Sequence, residues 1–293
     1  MNVLLIKMVQ EIEETKVAVV LNARNEEKII SKTLEYLLNQ DLKTYRIIVV
    51  NDGSTDKTED VATSFKEIEV INREKRKENF VAKKELAITI NTGLEKLDDD
   101  IDCNFILLMN ADILLPKNYL SILVNRMKSN PNLVIAGGVL EEEFSEVPRG
   151  SGRVIRYDFW KKLGLRYPVN YGYEGYLLWK AQSMGYEIKI FSDLVYETQR
   201  KTGSKYEPKR YYYYGLGLKA LGYSFLYAIA RIFLFSKRKP RGAYYMLKGF
   251  LSNYGELYEP ELREYVRKTQ NQNIFSFKQN YFKRFFRTLK YSK

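Results

Sequence analysis

The sequence contains no histidine and one cysteine, Cys103. Without histidine there is no Ser-His-Asp triad, no imidazole metal ligand and no switch titrating near neutral pH. A lone cysteine forms no internal disulfide, which fits a reducing compartment. Long apolar runs are missing too: no window of about 18 apolar residues is free of charge, the length a membrane-crossing helix approaches. The nearest, Leu216–Phe235, is interrupted by Lys219 and Arg231. It is apolar nearly all round, which suits burial in protein or in a membrane interface rather than a span. The opening "MNVLLIKMVQEIEE" does not read as a signal peptide, because its apolar run is short and acidic residues follow.

What is present is enough for one large domain, or a domain with an appendage: 293 residues, 45% hydrophobic and 29% charged. The net charge of +12 is unevenly spread. Residues 201–293 hold 20 Lys and Arg against 5 Asp and Glu, a net of +15, and residues 1–200 hold 28 against 31, a net of −3. The basic third also carries 14 of the 24 tyrosines. A basic, aromatic surface suits anionic lipid headgroups or nucleic acid, or serves as a solvated face.

Along the chain, "VAVVL" (17–21) is a short all-apolar run of the kind found in strands covered on both faces. "NARNEE" follows, then a helix is expected from about Glu26 to Gln40, with Ile29, Ile30, Thr33, Leu34, Leu37 and Leu38 on one face. "YRIIVVN" (45–51) reads as a second strand, ending in "DGSTDKTEDVA", where Asp56 or Thr55 is placed to cap a helix. "EIEVI" (67–71) and "NFILLMN" (104–110) read as further strands, with a helical stripe between them at 81–97. A helix near Pro116 and a strand at 133–144 continue the alternation, which argues for an α/β domain with a largely parallel sheet. After residue 145 the pattern changes. "SEVPRGSGRV" reads as a flexible loop, Glu174–Met184 as a helix stopped by Gly185, and the residues from 206 onward as helices.

Ligands bind at the carboxyl ends of parallel strands. Three strands here end in polar clusters: Asn22–Glu26, Asn51–Asp56 and Asn110–Asp112. Such clusters are also ordinary turn chemistry. Three converging on one sheet edge are harder to dismiss.

The order and spacing of these motifs resemble the family 2 glycosyltransferases of GT-A fold. The match is carried by "VVLNARNEEKIISKTLEYLLNQ" (19–40), "IIVVNDGSTDKTEDVA" (47–62), "INTGLE" (90–95), "FILLMNADILLP" (105–116), "GYEGYLLWKAQSMGYEI" (172–188) and "VYETQRKTG" (195–203). The resemblance covers roughly residues 16–205. It implies a catalytic domain over 1–205, Rossmann-like, with a mostly parallel sheet flanked by helices. A helical basic region over 206–293 would follow it. It also implies a nucleotide-diphosphate sugar donor and a divalent metal, Mg²⁺ or Mn²⁺. Ala23, Asn25 and Glu26 match the first nucleotide-binding loop, and Asp52 matches the aspartate that reads the base. Asn110, Ala111 and Asp112 occupy the DxD position, whose last carboxylate coordinates the metal bridging the diphosphate.

Three departures from the family pattern stand out. Asn110 replaces the first Asp of DxD and removes one negative charge. The family usually reads Glu-Asp where this chain has Glu174-Gly175. That Asp is the expected general base for inverting attack by an acceptor hydroxyl, so Glu174 is the nearest substitute. Its other reading is a carboxylate favoured at a helix N-terminus. Many relatives place a metal-binding His where this chain has Glu197 close by. Glu197 either supplies an oxygen ligand or lies on the surface. Arg153 and Arg156 are placed to meet the diphosphate or an acceptor phosphate, or else are solvated.

These departures bear on the acceptor. A polyprenyl phosphate is already anionic and needs no base, whereas a sugar hydroxyl needs one. The tail "IFSFKQNYFKRFFRTLKYSK" puts Ile274, Tyr281, Phe282, Phe285 and Leu289 on one helical face amid Lys and Arg, the pattern of a helix lying on an anionic membrane or packed back on the domain. The expectation is an inverting, metal-dependent glycosyltransferase acting on a lipid-linked or glycan acceptor, peripheral at the cytoplasmic face of the membrane. The rival readings are a non-catalytic sugar-nucleotide- or glycan-binding relative and a nucleic-acid-binding protein. The regular α/β body with three polar strand ends argues against nucleic acid as a partner.

Overall fold

The computed structural model describes residues 15–75, 83–98, 102–141, 145–200 and 210–272. At its centre is β1, Val17–Ala23, with Val17 to Leu21 wholly buried. Burying each of these valines and Leu21 contributes roughly 1.5–3 kcal/mol. β1 lies parallel between β2 (Arg46–Asn51) and β4 (Phe105–Asn110), and β3 (Ile68–Asn72) pairs parallel with β2. The apolar runs read from the sequence are these strands.

The other half of the sheet is mixed. Two-residue β5 (Ile113–Leu114) follows β4, then β6 (Leu133–Leu140), β7 (Arg153–Arg156) and β8 (Glu187–Thr198), giving the order β3-β2-β1-β4-β7-β6-β8-β5. β7 runs antiparallel to both β4 and β6. Four of the seven strand pairings among the described residues are parallel. The loop expected at 145–154 extends through residue 152, and its last two residues, Arg153 and Val154, open a buried strand instead, because the guanidinium of Arg153 is satisfied internally. It donates to the carbonyls of Pro148 and Arg149 and to the hydroxyl of Tyr167.

The helices alternate with the strands: α1 (Ile30–Leu38), α2 (Thr58–Thr63), α3 (Leu86–Leu94) and α4 (Tyr119–Lys128), with α5 (Tyr157–Lys162) after β7. Ile30, Leu34 and Leu37 of α1 and Leu120, Leu123, Val124 and Met127 of α4 join Val17, Val19 and Leu21 in one core.

Contacts divide the chain into two units. The first comprises Met1–Phe80, Glu85–Val169 and Met184–Lys205, and the second Val81–Lys84, Asn170–Ser183 and Tyr206–Lys293. The expected division at 205/206 falls among residues outside the described set. The grouping differs from that expectation by assigning α6 (Tyr173–Ser183) to the second unit. Aromatic packing explains it: Tyr176 stacks on Tyr258, and Trp179 meets Tyr223 and Tyr265 edge to face. Lys180 adds an ion pair to Glu259 at 2.7 Å.

The second unit also holds α7 (Arg210–Ala220), α8 (Phe225–Ser236) and α9 (Pro240–Phe250), followed by helical residues 260–272. The expectation of helices beyond 206 matches these. The membrane-facing tail helix expected at 274–289 lies outside the described residues. α7 and α9 cross at backbone contact. A Cβ on Gly249 would strike the carbonyl oxygen of Tyr212, and one on Gly215 that of Met246. Gly249→Ala is therefore expected to cost about 1–3 kcal/mol and to lower the thermal midpoint by several degrees. Gly255→Ala is the control, since nothing lies within 4 Å of a Cβ there. Thermal denaturation of the two variants side by side measures the difference.

Candidate active site

The three polar clusters leave the sheet side by side. In the parallel registers Asn22 is level with Val50 and with Asn110, and Ala23 is level with Asn51. The loops after β1, β2 and β4 therefore start at one edge of three adjacent strands. This is the edge at which open α/β sheets bind ligands.

The first two loops are laced together. Asn25 takes a left-handed backbone, φ 53°, and its side-chain oxygen accepts from the Thr55 amide at 2.8 Å. The Ser54 hydroxyl accepts from the Asn25 amide at 3.0 Å, and the Thr58 hydroxyl from the Glu26 amide at 2.7 Å. The Ala23 carbonyl accepts from the Asp52 amide at 2.8 Å. Asp56 anchors the second loop. Burial alone would push its carboxyl up. Hydrogen bonds from the Thr58 hydroxyl and from the amides of Glu27 and Thr58 outweigh this and hold it below the usual range.

Asp52 is buried and pre-paired. Its Oδ1 accepts from Arg73 Nη1 and from Thr89 Oγ1, each at 2.8 Å. Close by in register, the side-chain oxygen of Asn22 is buried with no hydrogen-bond partner among the described residues, beside exposed Asn110. An unmet acceptor of this kind at a strand end is what an incoming donor group satisfies.

The third loop carries Asp112. Ala111 is buried, and its backbone is fixed by its amide donating to the Asn22 carbonyl and by Thr33 Oγ1 donating to its own carbonyl, at 3.1 and 2.6 Å. The Asn110 amide donates to Ser151 Oγ at 2.9 Å. That serine's carbonyl is held by the Tyr196 hydroxyl, and the next carbonyl, of Gly152, by the Tyr119 hydroxyl. The side chain of Asp112 is joined to Glu26 by one guanidinium. Arg200 Nε donates to Asp112 Oδ2 at 2.9 Å, while Nη1 and Nη2 donate to the two oxygens of Glu26 at 2.8 and 2.5 Å. All three groups are largely buried, and together their formal charge is −1.

Thus Ala23, Asn25, Glu26, Asp52, Asn110, Ala111 and Asp112 are brought to one sheet edge. Arg156 is not. It pairs with Phe105 at the start of β4, the far end from Asn110, and donates to the carbonyls of Leu133 and Met127. Glu197 is exposed on β8, in register with Leu114. Among the described residues no three His, Cys, Asp or Glu side chains gather as a metal-ligand set. Glu174 opens α6 in the second unit and is exposed. The sequence reading passed over Arg200, Arg73 and Thr89. Arg200 stands in the quoted "VYETQRKTG" segment, three residues past Glu197, and no local spacing marks its partners.

Residues 18–176 match the family model described as glycosyl transferase family 2. The chain belongs to glycosyl transferase family 2. A curated relative in Methanococcus voltae is the dolichyl N-acetyl-alpha-D-glucosaminyl phosphate 3-beta-D-2,3-diacetamido-2,3-dideoxy-beta-D-glucuronosyltransferase. It is 25% identical over 214 residues, which cover 65% of this chain and 59% of the relative. This family 2 chain therefore spans about three fifths of that relative's length. Among solved structures, the S. aureus TarS 1–349 complex with UDP superposes with a TM-score of 0.52 at 17% identity, covering 70% of this chain and 64% of that one. Mannosyltransferase PcManGT from Pyrobaculum calidifontis, in complex with GDP-Man and Mn²⁺, gives a TM-score of 0.58 at 15% identity, covering 81% and 86%. The fold is GT-A.

The Asp56 contacts predict a pH effect. A carboxyl held below its ordinary value of 3.8 stabilises the fold above that pH, and the contribution is lost as the pH falls through the folded value. Asp56→Asn is expected to be about 1 kcal/mol less stable at neutral pH and to show a flatter loss of stability below it. Urea denaturation at neutral and acid pH measures both.

Proposed function

We propose that this chain is an inverting glycosyltransferase that moves a sugar from a nucleoside-diphosphate donor to a lipid-linked phosphate or glycan acceptor at a membrane surface. The observation that carries the reading is the convergence of Glu26, Asp52 and Asp112 at three adjacent strand ends in a family 2 chain. The comparisons support the substrates. The M. voltae relative is named for a dolichyl-phosphate-linked sugar, and the two fold neighbours were solved with UDP and with GDP-Man.

The residues fit a divalent metal in one particular way. The described residues build no complete ligand cage, but Asp112 offers a largely buried carboxylate that already accepts a cationic group. Mg²⁺ is commonly held by one or two carboxylates plus substrate phosphates rather than by a protein cage. Asp112 would hold the ion, and the donor diphosphate would complete its shell. When bound, the metal supplies neutralisation of the leaving diphosphate.

Each residue of the chain then has a task. Asp52, fixed by Arg73 and Thr89, presents a buried acceptor to an N–H of the base. The Asn25–Thr55 and Glu26–Thr58 lacing keeps the nucleoside loop preorganised. Arg200 exchanges its bond to Asp112 for phosphate oxygens, which a guanidinium fork matches. The acceptor oxygen attacks the anomeric carbon from the side opposite the departing diphosphate. Glu174, proposed from its motif position, takes the proton of a hydroxyl acceptor. A phosphate acceptor requires no such step.

A panel of nucleotide sugars with Mn²⁺, read by donor turnover, tests the reading. Asp112→Asn is expected to lower turnover about 100-fold or more. Full turnover in that variant overturns the metal assignment. Glu174→Gln is expected to lower transfer to a hydroxyl acceptor about 100-fold and to spare a phosphate acceptor. Arg200→Gln frees Asp112, so Mn²⁺ alone is expected to bind several-fold tighter by calorimetry while the nucleoside diphosphate binds more weakly.

A further inference from the structure

The second unit exposes an apolar surface that the transfer chemistry does not use. One face of α8, formed by Ala228 and Ile232 with Phe235, packs with Tyr211, Ala243, Met246 and Phe250. At 100° per residue, Leu226, Ile229, Ala230, Phe233 and Leu234 occupy the opposite half of the helix, with Phe225 at its border, where its ring meets that of Phe250. Four of them are far more exposed than large apolar groups usually are: Phe225 59%, Leu226 72%, Phe233 64% and Leu234 62%. No charge interrupts this half until Lys237.

The surrounding charge is of one sign. From Pro208 to Gly255 the chain has nine Lys and Arg and no Asp or Glu. Lys237, Arg238, Lys239 and Arg241 follow α8 directly, and all four are exposed. An apolar half-cylinder bordered by exposed cations matches the boundary of an anionic bilayer, where acyl chains take the apolar side and headgroup phosphates the basic side. α8 has 12 residues, about 18 Å of helix, against a hydrocarbon core of about 30 Å. No described helix is long and apolar enough to cross a membrane.

We propose that α8 lies in the plane of an anionic lipid surface, with Phe225, Leu226, Phe233 and Leu234 immersed and Lys237, Arg238, Lys239 and Arg241 on the headgroups. This docking surface does not depend on which donor or acceptor the enzyme uses. It brings the chain to the place where a lipid-linked acceptor resides.

The test is co-sedimentation of the full chain with phosphatidylcholine vesicles, with and without phosphatidylglycerol, in the absence of donor and acceptor. Binding is expected to be at least tenfold stronger with the anionic lipid and to weaken as salt rises. The doubly substituted Leu226→Asp, Leu234→Asp chain is expected to lose at least tenfold. The Lys237→Glu, Lys239→Glu chain is expected to lose the anionic preference. These side chains are exposed, and unchanged circular dichroism and thermal midpoint confirm that the variants fold. Undiminished vesicle binding by the Leu226→Asp, Leu234→Asp chain overturns the proposal and assigns docking to another segment, such as the C-terminal tail. A wild-type dimer that this variant dissociates, seen by sedimentation velocity without lipid, also overturns it and assigns the face to a second copy. Loss of donor turnover with vesicle binding intact would count against the transferase reading alone.

Discussion

The flush register of β1 between β2 and β4 is the constraint on which the rest of the site depends. Because Asn22 is level with both Val50 and Asn110, three loops begin at one height. A slip of one residue would turn every side chain of β1 to the opposite face, so its buried valines and Leu21 hold the register. The lacing of Asn25 to Thr55 and of Glu26 to Thr58 then needs only short side chains, since the backbones are already adjacent. Site geometry is thus inherited from core packing.

The charges follow a second economy. Buried carboxylates are costly unless partnered. Asp52 has Arg73 and Thr89, and Glu26 and Asp112 share Arg200. With Asn110 in place of a first aspartate, one guanidinium meets both carboxylates of the outer cluster. The carboxylates proposed to meet a donor and its metal are thus held in place by the fold itself.

Much of the first half was legible in the residues. Strands covered on both faces read as unbroken apolar runs, and these run lengths gave β1, β2, β3 and β4 within a residue or two. The polar strand ends were legible for the same reason, as interruptions of a buried pattern. β7 was hidden because its two arginines read as phosphate-binding or solvated, whereas Arg153 and Arg156 are met by backbone carbonyls. Two-residue β5 carries no periodicity at all. The roles of Arg73 and Arg200 were hidden by distance along the chain. The grouping of α6 with the C-terminal residues rests on ring-to-ring contacts of Tyr176 and Trp179, which no local pattern encodes.

Arg200 lies 174 positions from Glu26 and 88 from Asp112. A single side chain thus ties the opening loop of the sheet to its last strand. Contacts of such long sequence separation form late in folding, because the loop entropy must be overcome first. This carboxylate–guanidinium cluster is consequently a feature of the finished fold. During synthesis the two carboxylates wait for a cation that emerges only when nearly the whole first unit has been made.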